Sequence, residues 1–328
     1  MRSLILLGLL CSACGGSNPT APSPAPPIVT PAPPPPQPYT VAGAVTATNG
    51  GQVLGGLNVT LNGQPTTTNG AGGFTYTLTS GSTARLTLDG SGIVPRALTL
   101  NVASARQVAV GAIGLGGFDL TFYRALVRNG FEAPATLQPL RRWTRTPIIY
   151  LKTVDEAGEA IHGPTLNLIE ATVKDAVPRW TSGVLGVPIV ERGTETRVGV
   201  SGFITIRFPA DNTALAGVCG TAQVAQDGGW IELNYHGASG LGGGVCRVPG
   251  AVVAPHTVRH EIGHALGLWH TDRVTDVMFG GTWLDPNQQP SARELAAAAI
   301  AYQRPVGNVD PDSDPTSTVN LAPMTARE

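Results

Sequence analysis

The segment from His260 to His270 constrains the fold of this chain more than any other part of the sequence. It reads His-Glu-Ile-Gly-His-Ala-Leu-Gly-Leu-Trp-His. Residues four apart lie on one face of an α-helix, so the imidazoles of His260 and His264 can approach a single metal ion. Gly267 favours the left-handed conformation that ends a helix, and His270 can return to the metal after that turn. The spacing therefore predicts a helix, a sharp turn and three ligands for one zinc ion.

Glu261 adds a reactive group to these three ligands. Because it is one residue away from His260, it lies beside the metal rather than binding it, where a carboxylate can take a proton from activated water. Three neutral imidazoles leave a fourth coordination position open for that water. With six histidines in the chain, composition alone would produce this pattern in well under roughly 1% of sequences. Ordinary polar residues on a helix are therefore the weaker interpretation.

The other three histidines receive no ligand role. His256 precedes His260 by four residues, and we expect it to cap or support the helix, because a catalytic zinc keeps one position open. His236 follows a predicted strand, and the sequence shows no partners there for a second metal site. His162 is expected in a loop. One catalytic ion is the prediction.

The composition excludes several classes of protein. Glycine occurs 42 times and proline 28 times in 328 residues, while charged residues make up 13% and aromatic residues 5%. Long helical bundles need more Glu, Lys and Leu than this. The net charge of −1, without a Lys/Arg run, provides no basic face for a nucleic acid. The chain is expected to be turn-rich and β-rich, with real hydrophobic cores.

Residues 1–13 are predicted to be a secretory signal peptide. Arg2 precedes an apolar run from Leu4 to Leu10 that is too short to span a bilayer as a helix. The small residues before Cys14 and the glycines after it resemble the lipobox of bacterial lipoproteins, although Cys11 stands where leucine is usual. The resemblance implies lipidation of Cys14 and a membrane contact through that lipid. An ordinary signal peptide is the alternative, and both predict export.

Two regions of the chain are expected to lack a packed core. Residues 14–38 hold the lipidated cysteine and a proline-rich linker, which favours extended polyproline II and would act as a stalk. Residues 305–328 are polar and are expected to be a disordered tail. Asp310, Asp312 and Asp314 alternate there, but the glycine and closing glutamate of a calcium loop are missing, so calcium is unsupported.

Between these regions the pattern indicates two folded domains. Residues 39–115 contain short alternating strands separated by turn signals such as Asn62-Gly63, which predicts a small antiparallel β-sandwich. It is similar to carboxypeptidase-regulatory-like and immunoglobulin-like modules and carries no catalytic cluster. Residues 117–304 alternate strands with helices, which predicts an α/β or α+β domain. Its last helix follows a capping box formed by Ser291 and Glu294.

Cysteine usage agrees with export. With Cys11 and Cys14 assigned to the signal region, Cys219 and Cys246 remain, and an even pair in an oxidising compartment predicts one disulfide. Two zinc-binding thiolates are the alternative, but neither cysteine lies in a C-x-x-C pair.

The segment 260–270 matches H-E-x-x-H-x-x-G-x-x-H, the zinc motif of the metzincin metallopeptidases. Metzincins also place a methionine in a tight turn beneath the metal, and Met278 stands eight residues after His270. The order of elements resembles the matrixin subfamily. There is no matrixin-type cysteine switch, Thr271 replaces the usual serine, and Gly280 stands where astacins and serralysins carry tyrosine.

The resemblance implies a metzincin-like catalytic domain with a mixed sheet and an active-site helix. The implied activity is zinc-dependent hydrolysis of a peptide or protein substrate, with Glu261 as general base. It also implies that the strand at 230–235 pairs with the substrate and that residues 279–283 wall a side-chain pocket. The alternatives are a surface-anchored binding or adhesion lipoprotein with a non-catalytic zinc site, and a zinc amidase acting on cell-wall peptides. The oligomeric state is open, with a monomer favoured.

Overall fold

The computed structural model describes residues 37–79, 83–211, 215, 217–236, 246, 253–281 and 285–327. The predicted signal peptide, the lipidation site at Cys14 and nearly all of the linker lie outside these residues. The chain from Gln37 onward forms one compact unit. Among the helices described, none has the length and apolar character needed to cross a membrane.

Seven short strands build the β-rich part that follows the linker. Side chains alternate between core and surface along most of them, as a period of two requires, so that Val59 and Leu61 point inward. Asn62 and Gly63 both have positive φ at the hairpin turn between the second and third strands. The strands are β1 (Tyr39–Ala47), β2 (Asn58–Leu61), β3 (Gln64–Thr67), β4 (Gly73–Leu78), β5 (Thr83–Asp89), β6 (Arg96–Asn101) and β7 (Arg106–Ala112).

These strands form two sheets whose inward side chains share one hydrophobic core. The sheet β3-β2-β5-β6 is antiparallel throughout, as expected. The sheet β4-β1-β7 is mixed, because β7 pairs parallel with β1. The expectation of a purely antiparallel sandwich is therefore wrong for this sheet. A parallel pair needs a long crossover, which the five intervening strands provide.

The remainder of the chain is an α+β arrangement around one six-stranded mixed sheet with the order β13-β11-β12-β10-β8-β9. Strands β8, β9, β10 and β12 are parallel, whereas β11 is antiparallel to both of its neighbours. The elements are α1 (Leu120–Arg128), β8 (Ile148–Lys152), α2 (Gly163–Trp180), β9 (Val190–Gly193), β10 (Phe203–Arg207), β11 (Gly220–Val224), β12 (Gly229–Leu233), α3 (Pro255–Ala265), α4 (Ala292–Tyr302) and β13 (Met324–Arg327).

Helices α2 and α3 fix the position of the predicted metal-binding segment. Helix α2 presents Ile169, Val173 and Trp180 to the main core, and α3 adds Ile262. The indole Nε1 of Trp180 donates to the carbonyl of Arg259 at 3.1 Å. Helix α3 is thereby held against α2 and also packs on β11 and β12.

The segment after Pro305 is ordered, so the expectation of a disordered tail is wrong for residues 305–327. Asp312 is buried and accepts hydrogen bonds from Arg96 at 2.9 Å and from Arg304 at 2.8 Å. Asp314 also pairs with Arg96, and Asp310 pairs with Arg124. The alternating acids therefore bind arginines from distant parts of the chain. A buried carboxylate is tolerated only with such partners, and this pairing fixes the tail.

Cys219 and Cys246 form a disulfide, with their Cα atoms 5.3 Å apart. The predicted pairing is thus present, and it joins the start of the β11 region to the segment that precedes α3.

Candidate metal centre

A sharp turn at the end of α3 connects His264 to His270. Gly267 has φ of +105°, and a Cβ at this position would lie 2.2 Å from the carbonyl oxygen of Arg141, so only glycine fits. Trp143 Nε1 donates to the carbonyl of Ala265 at 2.7 Å, and the Tyr302 hydroxyl donates to that of Leu266 at 2.9 Å. Both bonds satisfy carbonyls that the end of a helix leaves open.

The turn brings three imidazoles together. Nε2 of His264 lies 3.0 Å from Nε2 of His260 and 3.1 Å from Nε2 of His270. All three side chains are buried. Their ligand atoms form a group that could hold a metal ion, and it is the one such group among the residues described.

The second nitrogen of each ring has an oxygen partner. Nδ1 of His260 lies 2.7 Å from the carbonyl of Val277, and Nδ1 of His264 lies 2.8 Å from that of Leu268. A carbonyl only accepts hydrogen bonds, so each Nδ1 carries the proton and each Nε2 keeps a lone pair. Nδ1 of His270 lies 2.5 Å from a carboxylate oxygen of Glu132, which orients it in the same way.

This donor set fits a transition metal such as zinc. Three convergent lone pairs repel one another unless a cation lies between them, and imidazole nitrogen is a preferred ligand of Zn²⁺ and its neighbours. Burial, followed by the neighbouring histidines, lowers the pKa values of His260 and His264 well below the usual value. Both rings are therefore neutral near pH 7, the form that binds a metal.

Glu132 is a functional candidate that no sequence pattern singles out. It follows α1, whose end is marked by the left-handed conformation of Asn129. The main-chain N–H of Trp269 donates to the carbonyl of Leu126 in α1 at 2.7 Å, which holds the end of this helix beside His270. The hydrogen bond from His270 lowers the pKa of Glu132, against the opposing effect of partial burial.

The turn that contains Met278 lies against the histidine cluster. A Cβ on Gly263 would lie 2.4 Å from the sulfur of Met278, so the glycine in α3 makes room for the thioether. The main-chain N–H groups of Met278 and Val277 donate to the carboxylate of Glu294 at 2.8 and 3.2 Å. The predicted capping box of Ser291 and Glu294 is present, and the same glutamate thus also holds this turn. Burial raises the pKa of Glu294 to about 7.

Thr271, which departs from the matrixin pattern, is bonded into this turn. Its main-chain N–H donates to the carbonyl of Met278 at 2.7 Å, and its hydroxyl donates to Asp276 at 2.8 Å. Threonine thus supplies at this position a hydroxyl that donates to a buried carboxylate.

Glu261 is fully buried in α3, next to His260. Strand β11 begins beside it, at Gly220. A Cβ on Gly220 would lie 2.6 Å from Oε1 of Glu261, so the absence of a side chain there leaves space for the carboxylate. The sequence motif predicted Glu261 but not Gly220.

The remaining histidines lie outside the converging group. His256 is buried in the first turn of α3 with its ring stacked towards that of His260, at 6.2 Å between centroids. Burial, and next Arg259, lower its pKa to about 3. His236 lies 2.8 Å from a carboxylate oxygen of Asp155, a partner that the sequence did not reveal. His162 is exposed at the N-cap of α2.

The sheet order changes one of the two expectations about substrate binding. Strand β12 lies between β10 and β11, so both of its edges are already paired and the expectation that it pairs with substrate is wrong. Strand β11 lies one position further out, and local sequence patterns do not reveal that order. Of the expected pocket wall at 279–283, residues 282 and 283 lie outside the described residues.

Comparison with known proteins does not assign this chain to a family. No family model and no curated protein matches the chain. It is similar to metalloproteinase-II from Bacteroides fragilis, with a TM-score of 0.30 and 13% identity over 79% of this chain and 84% of that chain. A protein of unknown function from the same species, described as membrane-associated, gives a TM-score of 0.21 and 20% identity over 25% of this chain and 29% of that chain. Likenesses at these TM-scores carry no argument about function.

Proposed function

We propose that this chain is an exported, zinc-dependent endopeptidase of the metzincin type. The observation that carries the proposal is the orientation of His260, His264 and His270, whose Nε2 atoms converge while every Nδ1 has an oxygen partner. A buried carboxylate, Glu261, adjoins this cluster. A purely structural metal site has no need of such a base.

The residues of the site divide the chemistry between them. When bound by the three imidazoles, a zinc ion supplies Lewis acidity towards a carbonyl group and towards water. Glu261 accepts the proton of the attacking water and delivers a proton to the leaving amine. The carbonyls of Val277 and Leu268, together with Glu132, keep the ring orientations fixed during this exchange.

Export and lipid anchoring are part of the proposal. They rest on the sequence of residues 1–14. The disulfide between Cys219 and Cys246 supports an oxidising compartment, because such bonds persist mainly outside the reducing cytosol.

The deciding experiment compares wild type with Glu261→Gln on a mixed peptide library. Wild type should cleave, lose activity with a chelator and regain it with added Zn²⁺. The variant keeps the size and shape of the side chain but not its basicity, so it should retain metal and lose cleavage by about a hundredfold or more.

The other outcomes separate the alternatives. Cleavage at the wild-type rate by Glu261→Gln would show that Glu261 is not the general base. Metal binding without any cleavage would favour a binding lipoprotein, and cleavage confined to cell-wall peptides would favour an amidase.

A further inference from the structure

The outer edge of β11 is occupied by a strand from the chain's own tail. Strand β13 runs antiparallel to β11, with Met324 opposite Val224 and Arg327 opposite Thr221. The other edge of β11 is paired with β12. Within the described residues, β11 is therefore the strand of the main sheet that pairs with an extended segment of the C-terminal tail.

The edge of β11 ends close to Glu261. Strand β11 begins at Gly220, the residue whose missing side chain makes room for the Glu261 carboxylate. The antiparallel register carries the tail towards that point, since Arg327 is opposite Thr221, the next residue of β11. An extended peptide added to this edge would pass the catalytic carboxylate in the same way, held by main-chain hydrogen bonds.

Side chains on one face of β13 fill an apolar surface beside the metal site. Ala326 is buried against Val224 and Trp269, and Met324 packs on the same cluster. Trp269 immediately precedes His270. Because residues two apart share a face of a strand, the surface accepts an apolar residue followed, two positions later, by a small one.

The tail consists of a firmly held root and a lightly held arm. The root contains Asp312, which is buried between two arginines. The arm (residues 315–327) is largely exposed up to Thr325, and outside the β13 ladder and its apolar contact it is held by dispersed polar contacts. These include Thr221 to the carbonyl of Ala326 at 2.6 Å, Gln226 to Asn320 at 2.8 Å and Arg141 to the carbonyl of Ala322 at 2.5 Å.

We infer that the edge of β11 with Trp269 is a docking surface for an extended peptide with an apolar-x-small pattern, and that the arm is its built-in competitor. The inference rests on the proposed function, because the same edge leads to Glu261. Substrate binds this edge only when β13 leaves it, and the root keeps the arm attached while it is displaced.

The test uses the full chain with two substitutions in neighbouring residues of β13. Ala326→Asp places a charge in the buried contact with Trp269, whereas Thr325→Asp places the same charge on the exposed face of the strand. Releasing a competitor raises the fraction of molecules able to bind, so Ala326→Asp should increase kcat/KM on extended peptides about tenfold, mainly through KM. Thr325→Asp should leave kcat/KM close to the wild-type value.

Hydrogen exchange of residues 320–327 reports release independently of activity. It should become faster in Ala326→Asp and stay unchanged in Thr325→Asp. A synthetic peptide with the sequence of residues 320–327 should bind Ala326→Asp more tightly than wild type. If Ala326→Asp does not fold, Met324→Asp serves instead, because Met324 packs on the same apolar cluster.

Two failures are distinguishable. In the first, Ala326→Asp shows faster hydrogen exchange but wild-type kcat/KM and no gain in peptide binding. This result would overturn the competitor role of the arm and leave the proposed peptidase activity standing. Tight peptide binding by Ala326→Asp, with no cleavage by any form of the protein, would overturn the proposed peptidase but keep the docking surface.

Discussion

The β-rich part and the α+β part of this chain bury different kinds of side chain. Among the described residues, the buried core of the first part is almost entirely apolar, with Thr68 and Arg96 as the polar exceptions before residue 115. The second part buries three converging histidines together with Glu261 and Glu294. Burying ionisable groups costs free energy. The candidate metal centre therefore lowers the free energy of unfolding of the second part. The first part has the composition of a scaffold or spacer.

The sharpest test of this difference is His264→Ala against Leu86→Ala. Removing one of the three converging imidazoles should lower metal affinity by about a thousandfold or more, since the remaining pair cannot close the site. Leu86 is fully buried in the β-sandwich, so its truncation should cost about 2–5 kcal/mol of stability and leave metal affinity unchanged. Competition with a chromophoric chelator measures the first quantity and urea unfolding the second. Equal loss of metal in both variants would show that the two parts are not separable.

Glu294 should make the second part sensitive to pH. Burial raises its folded pKa to about 7, above the value for an unfolded chain, so the folded state binds more protons between these values. Stability is then greatest at low pH and falls as pH rises through the folded pKa, by about 3 kcal/mol. Asp276, which carries a like charge nearby, acts in the same direction.

Urea unfolding of wild type and Glu294→Gln at pH 5 and pH 8 isolates this effect, because other titrations cancel in the difference. The variant should lack the component that wild type loses on going to pH 8. An identical pH dependence in both proteins would contradict the raised pKa.

Gly220→Ala should disturb catalysis without disturbing the metal. The new Cβ would lie 2.6 Å from Oε1 of Glu261, which forces the carboxylate to move. Moving a catalytic group by about 1 Å can lower the rate by up to about a hundredfold. Gly70→Ala is the matched control, because a Cβ there meets no atom within 4 Å. Peptide cleavage and metal content should be measured for both, and unchanged cleavage by Gly220→Ala would exclude this positioning role.

Glu132→Ala should weaken metal binding more modestly. Loss of the carboxylate that orients His270 should cost about 10–100-fold in metal affinity, as is usual for such supporting partners. Glu132→Gln, which keeps an acceptor oxygen, should recover part of that loss. Chelator competition with both variants tests the series, and wild-type affinity in Glu132→Ala would contradict it.

The sequence allowed prediction where the relevant geometry is local. The convergence of His260, His264 and His270 follows from a helical repeat and one glycine turn, and the capping box before α4 follows from a spacing of three residues. Glu132 acts on a histidine 138 residues away, and no local pattern marks it. The ordered tail depends on Arg96, which is 216 residues from Asp312. The position of β12 between β10 and β11, with β13 outside them, reflects sheet order, which tertiary packing decides.

Metal analysis of the purified, dialysed wild-type chain tests the central claim most directly. Three imidazole nitrogens whose lone pairs face one another should retain one transition-metal ion per chain, and cobalt substituted there should give the visible absorption of a low-coordinate nitrogen site. A wild-type protein that folds, keeps its disulfide and yet binds no stoichiometric metal would contradict the account.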